Sequence, residues 1–256
     1  MRIQVLGCSG AELPNKNMTG FLIDGNLLLD AGTIGEALPK SAQWKIRNIL
    51  VTHPHLDHIK AVPFFLDNIV TAERDQHVTL YSDPRVIKAL KQHLFNGLIW
   101  PDFTKIPSPD NGLLTLQEIS IEKPFGVDSY EVTAYKVNHT TPAIGYLVEN
   151  SEGKKLVYTG DTGPTEPIWK ALNNGPIHGL IVEVSFHNGF TDRALVSGHL
   201  TPELLGEELA KVETLPERIF ITHSKPGHKD IIGDELAELG LDNIELLEDG
   251  QILVLK

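Results

Sequence analysis

Apolar and polar positions alternate along this chain in short blocks, with helical spacing recurring between the blocks. Positions 3–7, 20–24 and 26–30 read as strands, and Asp24-Gly25-Asn26 turns the second into the third as a hairpin. A strand over 48–53 runs into the loop that carries His53, and a helix follows across 59–70. Positions 77–83 form another strand, after which Pro84 opens a helix reaching about Leu94. In the second half, 129–139, 143–150 and 154–161 have the pattern of antiparallel strands, with Ser151-Glu152-Gly153 as a turn. A helix near 165–173 precedes a strand over 179–186. Thr201 caps a helix over 202–213 that has Pro202 at its first position. A strand over 218–224, a helix over 229–239 and a final hairpin over 243–256, turning at Asp249-Gly250, complete the chain. Two half-chains of strands with interspersed helices predict two packed sheets covered by helices, an α/β sandwich forming one domain over 1–256.

Composition narrows the chemistry. Among 256 residues, 41% are hydrophobic and 22% charged, enough apolar material for a substantial core. The 22 Lys and Arg against 34 Asp and Glu leave a net charge of −12, which argues against a broad basic surface for a long nucleic acid. A small anionic substrate stays open, because a local cation outweighs a diffuse negative field. Cys8 is the sole cysteine, so neither an internal disulfide nor a thiolate metal cluster can form. No apolar run approaches the ~20 residues that cross a bilayer. The opening MRIQVLG lacks the pattern of a signal peptide. The expectation is a cytoplasmic protein without membrane contact; a secreted form with its leader removed would read the same.

The densest chemical signal is His53-Pro54-His55-Leu56-Asp57-His58. Four metal-ligating side chains occupy six positions after a strand. In an extended segment His53 and His55 point the same way toward one cation, while Asp57 and His58, at the turn into a helix, can aim at a second. Imidazole and carboxylate together suit zinc, manganese or iron. The bland alternative is a histidine-rich surface turn. His139, Asp161 and His223 each end a later strand and repeat the relation of the first cluster to its strand.

HPHLDH followed in order by His139, Asp161 and His223 resembles the metallo-β-lactamase superfamily of hydrolases, over nearly the whole chain. The resemblance implies a four-layer αββα sandwich of two mixed sheets flanked by helices. It implies that His53, His55 and His139 bind one divalent ion, that Asp57, His58 and His223 bind another, and that Asp161 bridges them. Zinc is the expected metal, with manganese or iron as alternatives. Asp30 and Thr33 lie in a loop that such proteins bring near the metals, and Thr52 and Thr222 precede ligands as hydrogen-bonding supports.

Glu183 and His199 separate the branches. In phosphodiesterase members a histidine in such a motif approaches the phosphate and a glutamate on the preceding strand holds it. An alkoxide leaving group needs a proton, and a carboxylate fixes the tautomer of an imidazole and raises its pKa. The plain alternative for His199 is a helix-entry residue bonded to backbone. The stretches HPHLDHI, LFNGLIWPDFT and EVSF with GHLTP are similar to the class II 3′,5′-cyclic-nucleotide phosphodiesterases, whereas Ala61 and the PFFLDN after it depart from that pattern. The resemblance implies hydrolysis of cyclic AMP or cyclic GMP to the 5′-nucleotide, with Asp57 orienting the nucleophile and His199, steadied by Glu183, as acid. Phe95, Trp100 and Phe103 are candidates to pack against the base, or else to close the core under a long loop. A tRNA 3′-processing endoribonuclease is the nearest alternative, and a non-catalytic metal-binding interaction protein another. A homodimer is left open. His77, His93 and His178 read as structural, and His187 and His228 as neighbours of functional candidates.

Overall fold

The computed structural model describes residues 1–173 and 175–256. In chain order the strands of the first half are β1 (Arg2–Gly7), β2 (Gly20–Ile23), β3 (Leu27–Leu29), β4 (Asn48–Leu50), β5 (Val78–Ser82), β6 (Pro107–Ser108), β7 (Asn111–Gly112) and β8 (Leu114–Glu118). Those that follow are β9 (Phe125–Val127), β10 (Tyr130–Lys136), β11 (Ile144–Asn150), β12 (Lys155–Tyr158), β13 (Gly179–Glu183), β14 (Ile219–Thr222), β15 (Ile244–Leu246) and β16 (Ile252–Val254). The helices are α1 (Lys40–Gln43), α2 (Leu56–Ile59), α3 (Ala61–Thr71), α4 (Pro84–His93), α5 (Trp169–Leu172), α6 (Thr191–Ser197), α7 (Pro202–Leu209) and α8 (Lys229–Ala237).

One mixed sheet has the order β16-β1-β2-β3-β4-β5-β8, and the other β15-β14-β13-β12-β11-β10-β9. Side-chain alternation sorts their residues into layers. Leu27, Leu29 and Leu50 of the first sheet meet Tyr146, Tyr158, Ile181 and Phe220 of the second in the central core. On the opposite face Leu28, Ile49 and Leu80 pack against Phe65 and Ile69 of α3 and Ile87 and Leu90 of α4. Leu180, Val182, Ile219 and Ile221 turn outward from the second sheet onto Trp169, Leu205, Ile232 and Leu236 of α5, α7 and α8. The result is the expected αββα sandwich. The inner strands are buried at every position because both of their faces are covered, and they are apolar but for Glu183 and Thr222 at the ends of β13 and β14.

The final hairpin is not formed. β15 pairs parallel with β14 in the second sheet, whereas β16 pairs antiparallel with β1 in the first. The Asp249 carboxylate accepts the backbone N–H groups of Cys8 (3.0 Å) and Asn17 (2.7 Å), so the turn is fastened to the end of β1 instead of closing on itself. Gly250 N–H donates to Val5 O at 2.8 Å and completes the hand-over between sheets. The helix expected over 59–70 begins earlier, as α2, and the one near 165–173 shortens to Trp169–Leu172. Thr201 does cap α7, its hydroxyl accepting Leu204 N–H at 3.4 Å. β8, β9 and α6 escaped the sequence reading; β8 owes its place to parallel pairing with β5, a non-local contact without a local signal.

Candidate active site

The two sheets bring their chemistry to one edge. β10 and β12 are both antiparallel to β11, and β12, β13 and β14 are mutually parallel, so all four end on the same side. His139, Asp161 and His223 follow β10, β12 and β14, and Glu183 is the last residue of β13. From the other sheet, the chain leaving β4 presents His53, then His55 at the N-terminus of α2, and Asp57 and His58 within that helix. Gly160 lets the sheets approach: its φ is +61°, and a Cβ there would lie 2.8 Å from the Thr52 side chain.

The seven expected side chains meet. His53, His55, His139 and Asp161 offer ligand atoms within 4.8 Å of one another, and so do Asp57, His58, Asp161 and His223. Asp161 belongs to both groups. His58 Nε2 and His223 Nε2 each lie 3.3 Å from an oxygen of Asp161, and His53 Nε2 lies 3.6 Å away. His223 Nε2 is 3.2 Å from Asp57 Oδ2, and His139 Nε2 is 3.2 Å from His55 Nδ1. Ligands at about 2.0–2.1 Å from a tetrahedral zinc stand about 3.3 Å apart, so these spacings fit a divalent cation. His53 Nε2, His58 Nε2 and Asp161 Oδ1 are buried with no hydrogen-bond partner. Leaving such atoms unpaired costs about 1–3 kcal/mol each, which a cation would relieve.

The surrounding hydrogen bonds dictate which ring nitrogen faces inward. Asp30, fully buried, accepts Thr52 N–H and Thr52 Oγ1–H at 2.8 Å each, Tyr158 O–H at 2.6 Å and His58 Nδ1–H at 2.7 Å. Because Thr52 spends its proton on Asp30, its oxygen is left to accept from His53 Nδ1 at 2.9 Å. By the same logic Ser185 donates to Glu183 Oε2 (2.8 Å) and accepts from His223 Nδ1 (2.9 Å), while His139 Nδ1 donates to Gly198 O (2.8 Å). In the neutral form each of these four rings therefore aims its Nε2 lone pair into the site. Asp30, rated only a supporting residue in the sequence, is the hub of this arrangement. Tyr158 and Ser185 were missed; Ser185 sits two residues beyond Glu183 on the same side of an extended segment, a signal that could have found it. Thr222 turns away, donating to Cys8 O at 3.4 Å.

Burial lowers His53, His55 and His139, with neighbouring imidazoles adding to the effect and Asp161 opposing it. Burial alone would raise Asp161, but His223, His58 and His53 hold it well below the usual carboxylate range. Burial also works against the charged form of His58, yet Asp161 and Asp30 push it well above the ordinary histidine value. Cation binding here would displace a proton.

Beside this cluster His199 Nδ1 bonds Glu183 Oε1 at 2.5 Å, and Glu183 Oε1 also accepts Thr162 N–H at 3.0 Å. The His199 ring lies 5.1 Å from that of His139 and is stacked 5.4 Å from that of His223. Burial lowers the imidazole, and the charge and hydrogen bond of Glu183 overcome that and raise it. Glu183, His199 and His223 are also mutually close, but the bond between the first two makes them an ion pair beside the cluster.

The aromatic expectation needs correction. Phe95 and Phe103 are 3% and 2% exposed, in the core between the first sheet and its helices, and neither has a face for a base. Their side chains close the underside of the long loop. Trp100 packs at its edge on Phe64, ring centres 5.0 Å apart, and borders the same core.

Residues 26–224 match the model of the beta-lactamase superfamily domain. The chain belongs to the beta-lactamase superfamily. This superfamily member is 26% identical to a Yersinia pestis protein named "Probable 3′,5′-cyclic-nucleotide phosphodiesterase", over 78% of this chain and 62% of that one. It is 27% identical to the ribonuclease Z of Pyrococcus abyssi over 57% of this chain and 47% of that one. The alignments thus span about half to three fifths of these two relatives. The crystal structure of unliganded yeast PDE1 superposes with a TM-score of 0.81 at 20% identity, covering 98% of each chain, and shows the shared fold. Among the described residues, no helix is long and apolar enough to cross a membrane.

Replacing Asp30 with Asn puts an NH₂ group where only donors converge. Asp30→Asn should weaken Zn²⁺ binding roughly 10- to 100-fold, read by competition with a chromophoric chelator. Unchanged affinity would mean that the hub does not orient His53 and His58.

Proposed function

We propose that this superfamily member hydrolyses a 3′,5′-cyclic nucleotide to the 5′-nucleotide. The buried Glu183–His199 pair, set against both groups of potential metal ligands, carries the phosphodiester part of this reading, and an RNA 3′-end endonuclease would use the same pair. A thiolate leaves without such an acid; a ribose 3′-oxygen needs one. The relative from Yersinia pestis supports the substrate class by its name. His53, His55 and His139 would hold one divalent ion, Asp57, His58 and His223 another, and Asp161 both, with zinc preferred over manganese or iron. Such ions supply Lewis acidity toward the phosphodiester and the attacking water.

The chain's own residues do the rest. Asp57, 24% exposed at its side chain and held by His223, orients the water and passes its proton toward solvent. As the new P–O bond forms, the bond to the 3′-oxygen breaks and that oxygen takes the proton from His199 Nε2. Glu183, bonded at Nδ1, keeps the ring turned and protonated beforehand. Water attacks directly, so no covalent enzyme intermediate arises.

Turnover of cyclic AMP or cyclic GMP by Zn²⁺- or Mn²⁺-loaded protein, with the 5′-nucleotide identified as product, is the expected result. Cleavage of a precursor tRNA 3′ end with neither cyclic nucleotide consumed would overturn it in favour of the ribonuclease Z type of reaction, which the Pyrococcus abyssi relative keeps in view. His199→Ala should lower kcat roughly 10²- to 10⁴-fold with bound metal unchanged by elemental analysis; equal loss of both would make His199 structural. As an acid, His199 works while protonated, so kcat should hold below its raised pKa and fall as pH climbs through it. Glu183→Gln removes the upward push and should move that alkaline limb to lower pH. A limb that stays put would assign the proton to another group.

A further inference from the structure

Beyond His199, away from the long loop, lies a second group of aromatic rings that no part of the proposed reaction uses. Phe186 packs 5.8 Å from the His199 ring and 6.0 Å from that of His228. Phe190 stacks on His228, their planes 19° apart and centres 5.2 Å apart, and the Arg193 guanidinium sits 4.9 Å from the centre of Phe190. His187 meets the edges of both, 4.7 Å from Phe190 and 5.0 Å from His228. Phe186 is buried, the rings of His187, Phe190 and His228 are half-buried, and Arg193 and Gly189 are exposed.

Several bonds fix this shelf in place. Asn188 N–H donates to Glu235 Oε2 of α8 at 2.7 Å, and Asn188 Oδ1 accepts Glu203 N–H of α7 at 2.9 Å. His187 Nδ1 accepts Gly189 N–H at 3.1 Å, which leaves its proton on Nε2. His228 Nδ1 has no hydrogen-bond partner, and burial with the nearby His187 and Arg193 lowers its pKa, favouring the neutral ring.

We propose that Phe190, His228 and Arg193, with His187 at their edge, form the subsite for the purine base of the nucleotide whose phosphate meets His199. The inference rests on the phosphodiesterase reading above and relocates its base contact from the 94–104 loop to the turn at Asn188–Phe190 and the start of α8. A flat π-stack tolerates any base face, and a purine covers more of it than a pyrimidine. The ring nitrogens of His187 and His228 can meet the base edge, and the Arg193 guanidinium adds a planar cation that can stack on a base face. The shelf is one ring removed from the acid through Phe186, a short step suited to a mononucleotide.

Equilibrium binding separates this from the reaction itself. Isothermal titration of metal-loaded protein with 5′-AMP and with ribose 5-phosphate, which lacks a base, measures the subsite whether or not cyclic nucleotides turn over. Phe190→Ala and Arg193→Ala should each weaken 5′-AMP roughly tenfold and leave ribose 5-phosphate within twofold. Wild-type protein should bind 5′-AMP more tightly than 5′-CMP. Unchanged 5′-AMP affinity in both variants, or parallel loss of both ligands with the fold retained by circular dichroism, would overturn the subsite. Failure to hydrolyse cyclic nucleotides with the differential binding intact would instead sink the reaction and leave the purine subsite standing.

Discussion

The Asp30 carboxylate holds the site in one piece. It is a buried anion with donors from both sheets: Thr52 beyond β4, Tyr158 at the end of β12, and His58 on α2. An unpaired carboxylate in such a place would cost several kcal/mol, and its satisfaction depends on all of these groups being in register. Charge-assisted bonds of 2.6–2.8 Å are short and strong. They transmit orientation, because the proton that Thr52 gives to Asp30 decides which nitrogen His53 turns inward. A displacement of one sheet against the other would therefore break the tautomers as well as the distances.

The backbone around this hub is held in conformations that would be costly elsewhere. Asp30 and His223 have φ values of +51° and +65°, in the left-handed region that suits glycine and, among polar residues, occasional aspartate or asparagine. His223 is fixed there by its N–H bond to Cys8 O at 2.7 Å and by Ser185 on its ring. The same Cys8 donates through its backbone N–H to Asp249, the residue that sends the C-terminal strand to the first sheet. The strand exchange and the placement of His223 thus share one junction, so the edge strand and the site are mechanically linked.

What could be read from the sequence follows from how local each signal is. HPHLDH packs four ligating groups into one strand-to-helix turn, and periodicity alone aims them. His139, Asp161 and His223 could be placed at strand ends, and Glu183 on a strand, because the strands there have strong apolar patterns. Thr52 and Asp30 could be named beside the ligands, but Tyr158 could not be tied to them, since it stands 128 positions from Asp30 in the chain. The terminal hairpin failed for a related reason: Asp249-Gly250 has turn chemistry, yet the bonds of the Asp249 side chain to Cys8 and Asn17 redirect the strand after it. Phe95 and Phe103 misled because an aromatic residue in a long loop carries the same pattern whether it faces a ligand or closes a core. The cluster at Phe186–Phe190 is partly formed by His228, a distant contact, and so gave no sequence signal as a unit.

Charge gives the proposed reaction its selectivity. The chain carries −12 overall, a field that repels a polyanion over the whole length of its approach. At physiological salt that field decays over about 8 Å, so a mononucleotide reaching the strand ends feels mainly the groups there. Two divalent ions would bring about +4 to that point against the charges of Asp57, Asp161 and the buried Asp30, leaving the centre locally positive. A small diester with a single negative charge meets attraction where it reacts and little repulsion on the way, whereas a longer RNA brings many more negative charges into a field of net charge −12. The balance favours the cyclic nucleotide over the longer substrate on grounds independent of any relative's name.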